Sequence, residues 1–595
     1  MQLHRLRIGE FRNLRDFEIK FVKSAIGGDG SVHDFRSQAI IGQNGSGKSN
    51  MIEALVSIFR DLDLNYLASF DYELDYEVRG YEVQIVAAEG NRPDVQVTTS
   101  KGATKSLESW ELCDFREDPE TGELERGHAR LYLPSHIFTY YSGKSERLEQ
   151  LFQDHVSQYM SFLNDAGQYS NSIPFIDPKS DLQDSEPFLS DAILRRLFYC
   201  LHPHSKLVLL ATLVAPEQPL KDILKQLNIE EVDSVLFKLK KPYRLSGDMH
   251  KSDIEYGDKR FWYDRTNFAE EFLDKLWELA IAPIEDTEEK MIDFRGRNEE
   301  QELLYLYLKD RESLLELKDH IGDSYRFFRF AEGSYVADLL EDITIFVKHR
   351  TADGLVTFEK LSEGEQQLLT VLGLMRITHQ DECLFLLDEP DTHLNPQWKL
   401  HYFEEIERLQ QQNDDATIKG DSQIIVTTHD PLLIGGLRKE QVRVLENTPS
   451  GTKVTEPFEH PRGMGVAGLL KSDVFGLPST LDWHTRNQID QLNKLVALRQ
   501  RGGITEDQEN ELEKLKSYLD FLGFSKASRD PMYQLFLERM HDLNGLPIDK
   551  LFTEQELKQQ EQLSERIVRE LLKVENTKDL SALAQELKIQ LEAPE

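Results

Sequence analysis

Cysteine is scarce in this chain, whose 595 residues include only Cys113, Cys200 and Cys383. These cysteines are far apart and none has a Cys-x-x-Cys partner, so the sequence disfavours a disulfide framework and a cysteine-ligated zinc site. Long apolar runs are also missing, since no stretch approaches the roughly 20 residues that cross a bilayer. The first residues lack the apolar core of a signal peptide. We therefore expect a cytoplasmic protein with reduced thiols and no membrane span.

Positive charge is in deficit, with 70 lysines and arginines against 106 aspartates and glutamates and a net charge of −36. Such a chain repels nucleic acid on average. DNA contact is therefore left open only at two local basic-aromatic clusters, and it should be steeply salt-sensitive. The alternative for both clusters is a charged strand edge with buried aromatics. The clusters are Lys238, Lys240, Lys241, Tyr243 and Arg244, and Arg326, Phe327, Phe328 and Arg329.

A glycine-rich loop stands between a predicted strand and a predicted helix. The strand is the apolar run 38–41, and apolar residues recur at helical spacing from Met51 to Phe59. The spacing Gly-x4-Gly-Lys-Ser predicts a P-loop, whose backbone N–H groups wrap phosphate oxygens. Lys48 is expected to reach the β- and γ-phosphates, and Ser49 to bind Mg²⁺. The predicted nucleotide-binding residues here are Gly42, Gln43, Asn44, Gly45, Ser46, Gly47, Lys48, Ser49 and Asn50.

Two carboxylates follow a second apolar run at residues 383–387. A continuous apolar run of this length is typical of a buried parallel strand. Its carboxyl end is the edge at which α/β sheets bind ligands. We expect Asp388 to hold Mg²⁺ and Glu389 to act as the general base toward the attacking water.

A third motif opens an apolar helix at Leu361-Ser362-Glu363-Gly364-Glu365. Ser362 and Glu365 have the spacing of a capping box, so Ser362 is predicted to begin the helix. A helix N-terminus favours anions, although a well-capped helix without a ligand would have the same pattern.

The order of these motifs, followed by His429 after the run 423–428, resembles the ABC ATPase family, and most of all its RecF/SMC-like branch. The resemblance implies that Mg-ATP is sandwiched between the heads of a homodimer or higher homo-oligomer. Ser362 and Gly364 would then act in trans, and His429 would contact the γ-phosphate. Asp391 matches the D-loop, and the turn at residues 11–14 matches a hairpin near the nucleotide. The Q-loop glutamine of the family has no evident counterpart.

A narrower resemblance is to the ATPase subunits of Septu-type anti-phage defence systems, the PtuA family. It rests on the segments 140–143, 460–465 and 475–477 and on the predicted helical tail. The resemblance implies antiviral defence and a separate HNH nuclease subunit as partner.

Two other functions remain alternatives. An OLD-like or Gabija-like protein would fuse the ATPase to a Toprim nuclease, but no Asp-x-Asp pair follows residue 450, which disfavours an intrinsic nuclease. A RecF-like DNA repair ATPase shares the same catalytic motifs. An SMC protein would need long coiled coils, and no heptad is sustained here.

The sequence thus predicts an α/β fold, an ABC-ATPase head of the P-loop NTPase class split by a helical insertion. We expect an N-terminal lobe with the P-loop at 1–145 and the helical insertion at 146–332. A C-terminal lobe with the signature, Walker B strand and switch histidine would follow at 333–450. A helical, partner-docking region is predicted at 451–595.

Overall fold

A computed structural model describes the chain from residue 1 to 522 with internal gaps. The residues outside the description are 27–30, 100–101, 114–115, 118–123, 126–128, 144–145, 170–194, 201, 214–220, 222–223, 226–227, 246–256, 265–269, 292–297, 351–354, 379–380, 412–421, 450, 478–479, 501–502 and 523–595. The chain divides into two compact units, Met1–Leu477 and Pro478–Glu595.

The strands of the first unit are numbered in chain order. They are β1 Gln2–Phe11, β2 Leu14–Lys20, β3 Ser24–Ile26, β4 Val32–Asp34, β5 Ser37–Gly42, β6 Tyr72–Val78, β7 Tyr81–Ala87, β8 Asp94–Thr98, β9 Thr104–Leu107, β10 Arg116–Glu117, β11 Leu124–Glu125, β12 Ile137–Tyr141, β13 Leu197–Tyr199, β14 Ile229–Lys240, β15 Ile284–Met291, β16 Asn298–Leu308, β17 Leu340–His349, β18 Leu355–Thr357, β19 Leu384–Asp388, β20 Gln423–Thr428, β21 Val442–Thr448 and β22 Gly451–Thr455.

The α-helices are numbered in the same way. They are α1 Lys48–Asp63, α2 Glu146–Tyr169, α3 His202–Leu213, α4 Glu270–Leu279, α5 Arg311–Ile321, α6 Ser324–Val336, α7 Glu363–Ile377, α8 Pro396–Gln411, α9 Pro431–Ile434, α10 Gly465–Lys471, α11 Trp483–Gln500 and α12 Glu506–Phe521.

A seven-stranded sheet carries the strands that end at the motifs. Its order is β13-β12-β19-β20-β5-β21-β22, parallel except for the hairpin partner β22. Successive side chains alternate between two hydrophobic cores, with Ile40 in one and Ala39 and Ile41 in the other. Because both faces of the sheet are buried, its central strands are apolar throughout. The strands predicted at 38–41 and 383–387 are confirmed as β5 and β19.

A six-stranded antiparallel sheet, ordered β2-β1-β6-β7-β8-β9, shares one core with α1 and one face of the seven-stranded sheet. Helix α1 is buried along most of its length, including Met51, Ile52 and Phe59. This burial fixes α1 with its first turn at the end of β5. The predicted strand, loop and helix at residues 38–59 are therefore confirmed.

The α/β class is confirmed, but the segment 146–332 is not helical throughout, which corrects the prediction of a helical insertion. It includes β14, β15 and β16, which join β17 and β18 in a five-stranded antiparallel sheet ordered β15-β16-β14-β17-β18. Helices α4, α5 and α6 pack in the core under this sheet. The glutamate- and leucine-rich run of β16 has helical propensity, and pairing with two neighbouring strands overrides it.

The predicted helical insertion also contributes a strand to the seven-stranded sheet. Leu197, Phe198 and Tyr199 form β13, which pairs in parallel with β12. All three are buried. A short apolar run of this kind does not distinguish a buried strand from a buried helix.

The second unit is described for helices α11 and α12, which contact each other. Residues 451–477, predicted as the start of the helical C-terminal region, belong to the first unit, where β22 pairs with β21. The predicted tail beyond residue 522 lies outside the described residues. Among the helices that the structure describes, none is long and apolar enough to span a bilayer. The four-part division of the chain stays a prediction.

Candidate active site

The P-loop is compressed so tightly that two of its glycines admit no side chain. Gly47 has φ +101° and forms the N-cap of α1, and a Cβ there would lie 2.6 Å from Leu14 Cδ2. A Cβ on Gly42 would lie 2.6 Å from the carbonyl oxygen of Leu445. No side chain caps the N-terminus of α1. Its first N–H groups are therefore left for an anion, as expected of a phosphate-binding loop.

Three side chains from distant hairpins hold the backbone of this loop. Asn13, in the turn between β1 and β2, donates through Nδ2 to the carbonyl oxygen of Gly45 at 2.8 Å. Asn447 donates to the same oxygen at 3.1 Å, and Thr452 Oγ1 donates to the carbonyl oxygen of Ser46 at 3.3 Å. The resemblance to the ABC ATPase family predicts that the first hairpin lies near the nucleotide. It gave no signal for Asn447 or Thr452, which lie about 400 residues from the loop.

Lys48 lies folded into its own loop, with 5% of its surface exposed. Its Nζ donates to the carbonyl oxygen of Gly42 at 2.7 Å and of Gln43 at 3.4 Å. Burial lowers the pKa of this ammonium, and the charges of Glu389 and Asp388 oppose that shift. Lys48 is therefore close enough to Asp388 and Glu389 to interact electrostatically with both carboxylates.

Asp388 ends β19 as a fully buried carboxylate. Burial raises its pKa, while hydrogen bonds from the hydroxyls of Ser49 and Thr427 oppose that rise. The Thr427 hydroxyl donates to Oδ1 of Asp388. Oδ2 is buried and makes no hydrogen bond to the described part of the chain. A carboxylate oxygen left free beside a serine hydroxyl suits Mg²⁺, which prefers oxygen ligands.

Glu389 follows at the carboxyl end of the strand, partly exposed to solvent. Its N–H donates to the carbonyl oxygen of Thr427 at 3.0 Å and to the Thr427 hydroxyl at 3.2 Å. Its Oε1 lies 3.0 Å from Nδ1 of His429, whose side chain is 55% exposed. The pair combines a solvent-accessible carboxylate with a neighbouring imidazole, the requirement for a general base and its supporting group.

The signature residues begin helix α7. Ser362 is the N-cap and exchanges both capping-box hydrogen bonds with Glu365, so the predicted capping box is confirmed. Gly364 packs on the D-loop, where a Cβ would lie 2.3 Å from the carbonyl oxygen of His393. Ser362 is exposed and Gly364 is buried. The serine is therefore presented on a surface that a second subunit can reach, and its action in trans stays a prediction.

Asp391, matched in sequence to the D-loop that crosses the dimer, is buried within its own chain. The Thr428 hydroxyl donates to its Oδ1 at 3.0 Å, and Lys399 lies 3.9 Å from the carboxylate. Burial raises the pKa of Asp391. The side chain thus anchors the D-loop to the last residue of β20, which precedes His429.

No residue is assigned to the Q-loop. Strand β12 ends beside β19, with Tyr141 opposite Asp388, and the Ser142 N–H donates to the Asp388 carbonyl oxygen at 3.3 Å. The segment therefore lies where a Q-loop would begin. Gln150 and Gln153 are exposed on α2.

The two basic-aromatic clusters have a structural explanation. Lysines of the first cluster are each paired with carboxylates of the same sheet region, and the aromatics of the second are buried with Arg329. The described ion pairs are Lys238 with Glu288 at 2.9 Å, Lys240 with Asp338 at 2.7 Å and Lys241 with Glu302 at 2.8 Å. The Arg244 side chain lies outside the described residues. A phosphate would have to compete with these carboxylates for each lysine, so the geometry does not favour DNA contact here.

The P-loop, the buried strand ending in two carboxylates and the capped signature helix together define an ABC-type ATPase head. A family model described as "AAA domain, putative AbiEii toxin, Type IV TA system" matches residues 229–435, which include the signature, Asp388, Glu389 and His429. The Septu protein PtuA of Bacillus mycoides (strain KBAB4) is 33% identical over 138 residues. The chain thus has the fold and the motifs of an ABC-type ATPase head, and part of it resembles PtuA.

The likeness to PtuA is partial, since it covers 22% of this chain and 18% of that protein. A solved structure titled for the recombination mediator protein RecF-ATPrS in the RecFOR pathway is 12% identical, covering 76% of this chain and 97% of that one. Its TM-score is 0.25.

Replacing Asp388 with asparagine is expected to stabilise the fold. Because burial raises the pKa of Asp388, the folded state binds the proton more tightly than the unfolded state, and stability falls as pH rises through the raised pKa. The asparagine side chain cannot ionise, so the Asp388→Asn variant should have the higher melting temperature at neutral pH, with a smaller difference in acid. Thermal unfolding at several pH values measures this. A variant less stable than the wild type at neutral pH would contradict it.

Proposed function

We propose that this chain binds Mg-ATP and hydrolyses it in a site shared by two copies of its head. The observation that carries the proposal is the order of neighbouring strands β19, β20 and β5. These parallel strands bring Asp388 and Glu389, His429 and the P-loop to one edge of the sheet. Ligands bind at this edge in open α/β sheets.

Each residue at this edge has a distinct part in the reaction. The backbone N–H groups of the P-loop and Lys48 bind the phosphates. Ser49 and Asp388 would hold Mg²⁺, which offsets the charge that develops on the phosphate oxygens. Glu389 accepts a proton from a water molecule, and the oxygen of that water attacks the γ-phosphorus. The bond between the γ-phosphorus and the oxygen of the β-phosphate breaks in the same step. His429 lies beside Glu389, at the predicted position of the γ-phosphate, where it stabilises the phosphoryl group that is transferred.

The second half of the site is proposed to come from another subunit. Ser362 is exposed and stands at the start of a long helix, whose dipole favours a phosphate. Lys48 grips the nucleotide within its own chain, and Ser362 of the partner would cover the γ-phosphate from the opposite side. ATP binding therefore assembles a homodimer, and hydrolysis releases it.

We further propose that the protein is the cytoplasmic ATPase subunit of an anti-phage defence complex and that nucleotide state controls a separate HNH nuclease. Support comes from the partial likeness to PtuA and from the Septu-like segments of the sequence. The helices of the second unit are candidates for docking the nuclease.

The proposal is tested by assaying purified protein alone for ATP hydrolysis and for metal-dependent DNA cleavage. We expect hydrolysis without cleavage, and cleavage only when an HNH nuclease encoded beside it is added. Should the protein alone cut DNA, and a Lys48→Ala variant cut it equally well, the nuclease would be intrinsic and the proposed division of labour would be wrong.

A further inference from the structure

Helix α7 is fastened to the turn that carries Glu389. Gln367 lies one helical turn after Gly364 and is 4% exposed. Its Nε2 donates to the carbonyl oxygen of Pro390, the residue after Glu389. Residues three apart on a helix share a face. One face of α7 therefore contacts both the turn after β19, through Gln367, and the D-loop, through Gly364.

The turn held in this way is a strained one. Glu389 has φ +50°, a left-handed conformation that is uncommon for residues other than glycine. On the amino side of Glu389, its backbone N–H donates to both the carbonyl and the hydroxyl oxygen of Thr427. On the carboxyl side, the Thr392 hydroxyl donates to the Glu389 carbonyl oxygen at 2.9 Å, and Gln367 holds the next carbonyl. Strained backbone persists only where such surroundings over-determine it.

Burying Gln367 carries a cost that packing does not explain. Its Oε1 is buried and has no hydrogen-bond partner in the described part of the chain. An unpartnered buried amide oxygen destabilises the fold relative to an apolar side chain of similar size. The neighbouring Gln366 differs in its acceptor. Its amide donates to the Leu361 carbonyl oxygen at 2.9 Å, within the same motif, whereas the amide of Gln367 donates to the turn after β19.

We infer that Gln367 is a positioning residue for hydrolysis, which sets the orientation of Glu389 by holding the Pro390 carbonyl. The inference rests on the proposed ATPase function. Gln367 touches neither nucleotide nor water in this role and acts through Glu389. Its loss should therefore lower turnover and leave nucleotide binding and the signature surface intact.

The test variant is Gln367→Met, which keeps the length of the side chain and removes the donor. We expect kcat to fall about tenfold or more through misplacement of the base, with KM for ATP unchanged. The matched control is Thr370→Val on the same helix, which removes a buried hydroxyl whose described hydrogen bond is to the backbone carbonyl of Gln366. The control should keep wild-type turnover. If Gln367→Met does not fold, Gln367→Leu replaces it.

A second measurement separates positioning from damage to the signature. Gln367→Met combined with Glu389→Gln should still form dimers with ATP and Mg²⁺, as measured by light scattering. The inference is overturned if Gln367→Met turns over ATP as fast as Thr370→Val, or if the double variant cannot dimerise while Glu389→Gln alone can. Failure of the ATPase proposal has a different signature, because wild type would not hydrolyse ATP and Glu389→Gln alone would not dimerise.

Discussion

Glu389→Gln should lower ATP turnover by at least about 100-fold, the contribution typical of a general base, while ATP remains bound. Glutamine has the shape of glutamate and keeps an oxygen facing His429, which lies 3.0 Å from Oε1 in the native protein. It carries no charge and cannot take the proton of the attacking water. The dimer that ATP assembles should therefore accumulate. Steady-state phosphate release and light scattering with ATP and Mg²⁺ measure the two effects.

The control for this variant is Glu404→Gln, an exposed glutamate on α8 whose described partner is His401 of the same helix. It changes the same functional groups away from the site and should hydrolyse ATP at the wild-type rate. Wild-type turnover in Glu389→Gln would show that another group activates the water.

Lys48→Ala should weaken ATP binding by about 10- to 100-fold, as expected when a charged hydrogen bond to phosphate is lost. The ammonium is held close to the loop by the Gly42 carbonyl and is largely buried, so it reaches bound phosphate with little loss of conformational freedom. Its lowered pKa reflects burial, and an anionic phosphate would favour the charged form. Fluorescent nucleotide titration or calorimetry gives the affinity.

Lys20→Ala is the matched control, because Lys20 is an exposed lysine paired with Glu18 on the surface. It should bind ATP as the wild type does. Equal ATP affinities for Lys48→Ala and Lys20→Ala would show that Lys48 does not contribute to ATP binding.

The parts of the site that follow from local sequence were predictable. The Gly-x4-Gly-Lys-Ser spacing requires a phosphate loop between strand and helix, and Ser362 with Glu365 requires a helix start. The carboxylates after an apolar run imply the end of a buried strand. In each case neighbouring residues determine the geometry, so reading along the chain suffices.

The contacts that complete the site were not predictable in this way. Thr427 bonds both Asp388 and Glu389, and Gln367 holds the turn after them, yet nothing in their local pattern distinguishes them from other polar residues. Their roles depend on which strands and helices become neighbours, and this is set by the packing of the entire unit. The same holds for β16, where strand pairing overrides a helical composition.

The most direct test of the central claim mixes two variants, Lys48→Ala and Ser362→Arg, each of which should impair one half of the shared site and lower ATP hydrolysis on its own. If the P-loop of one subunit works with the signature of the other, a mixed dimer contains one site with both defects and one intact site. In an equal mixture, ATP hydrolysis should then return to about a quarter of the wild-type rate, since half of the dimers are mixed and each mixed dimer has one intact site of its two. A mixture as inactive as each variant alone would show that Lys48 and Ser362 do not meet across two subunits.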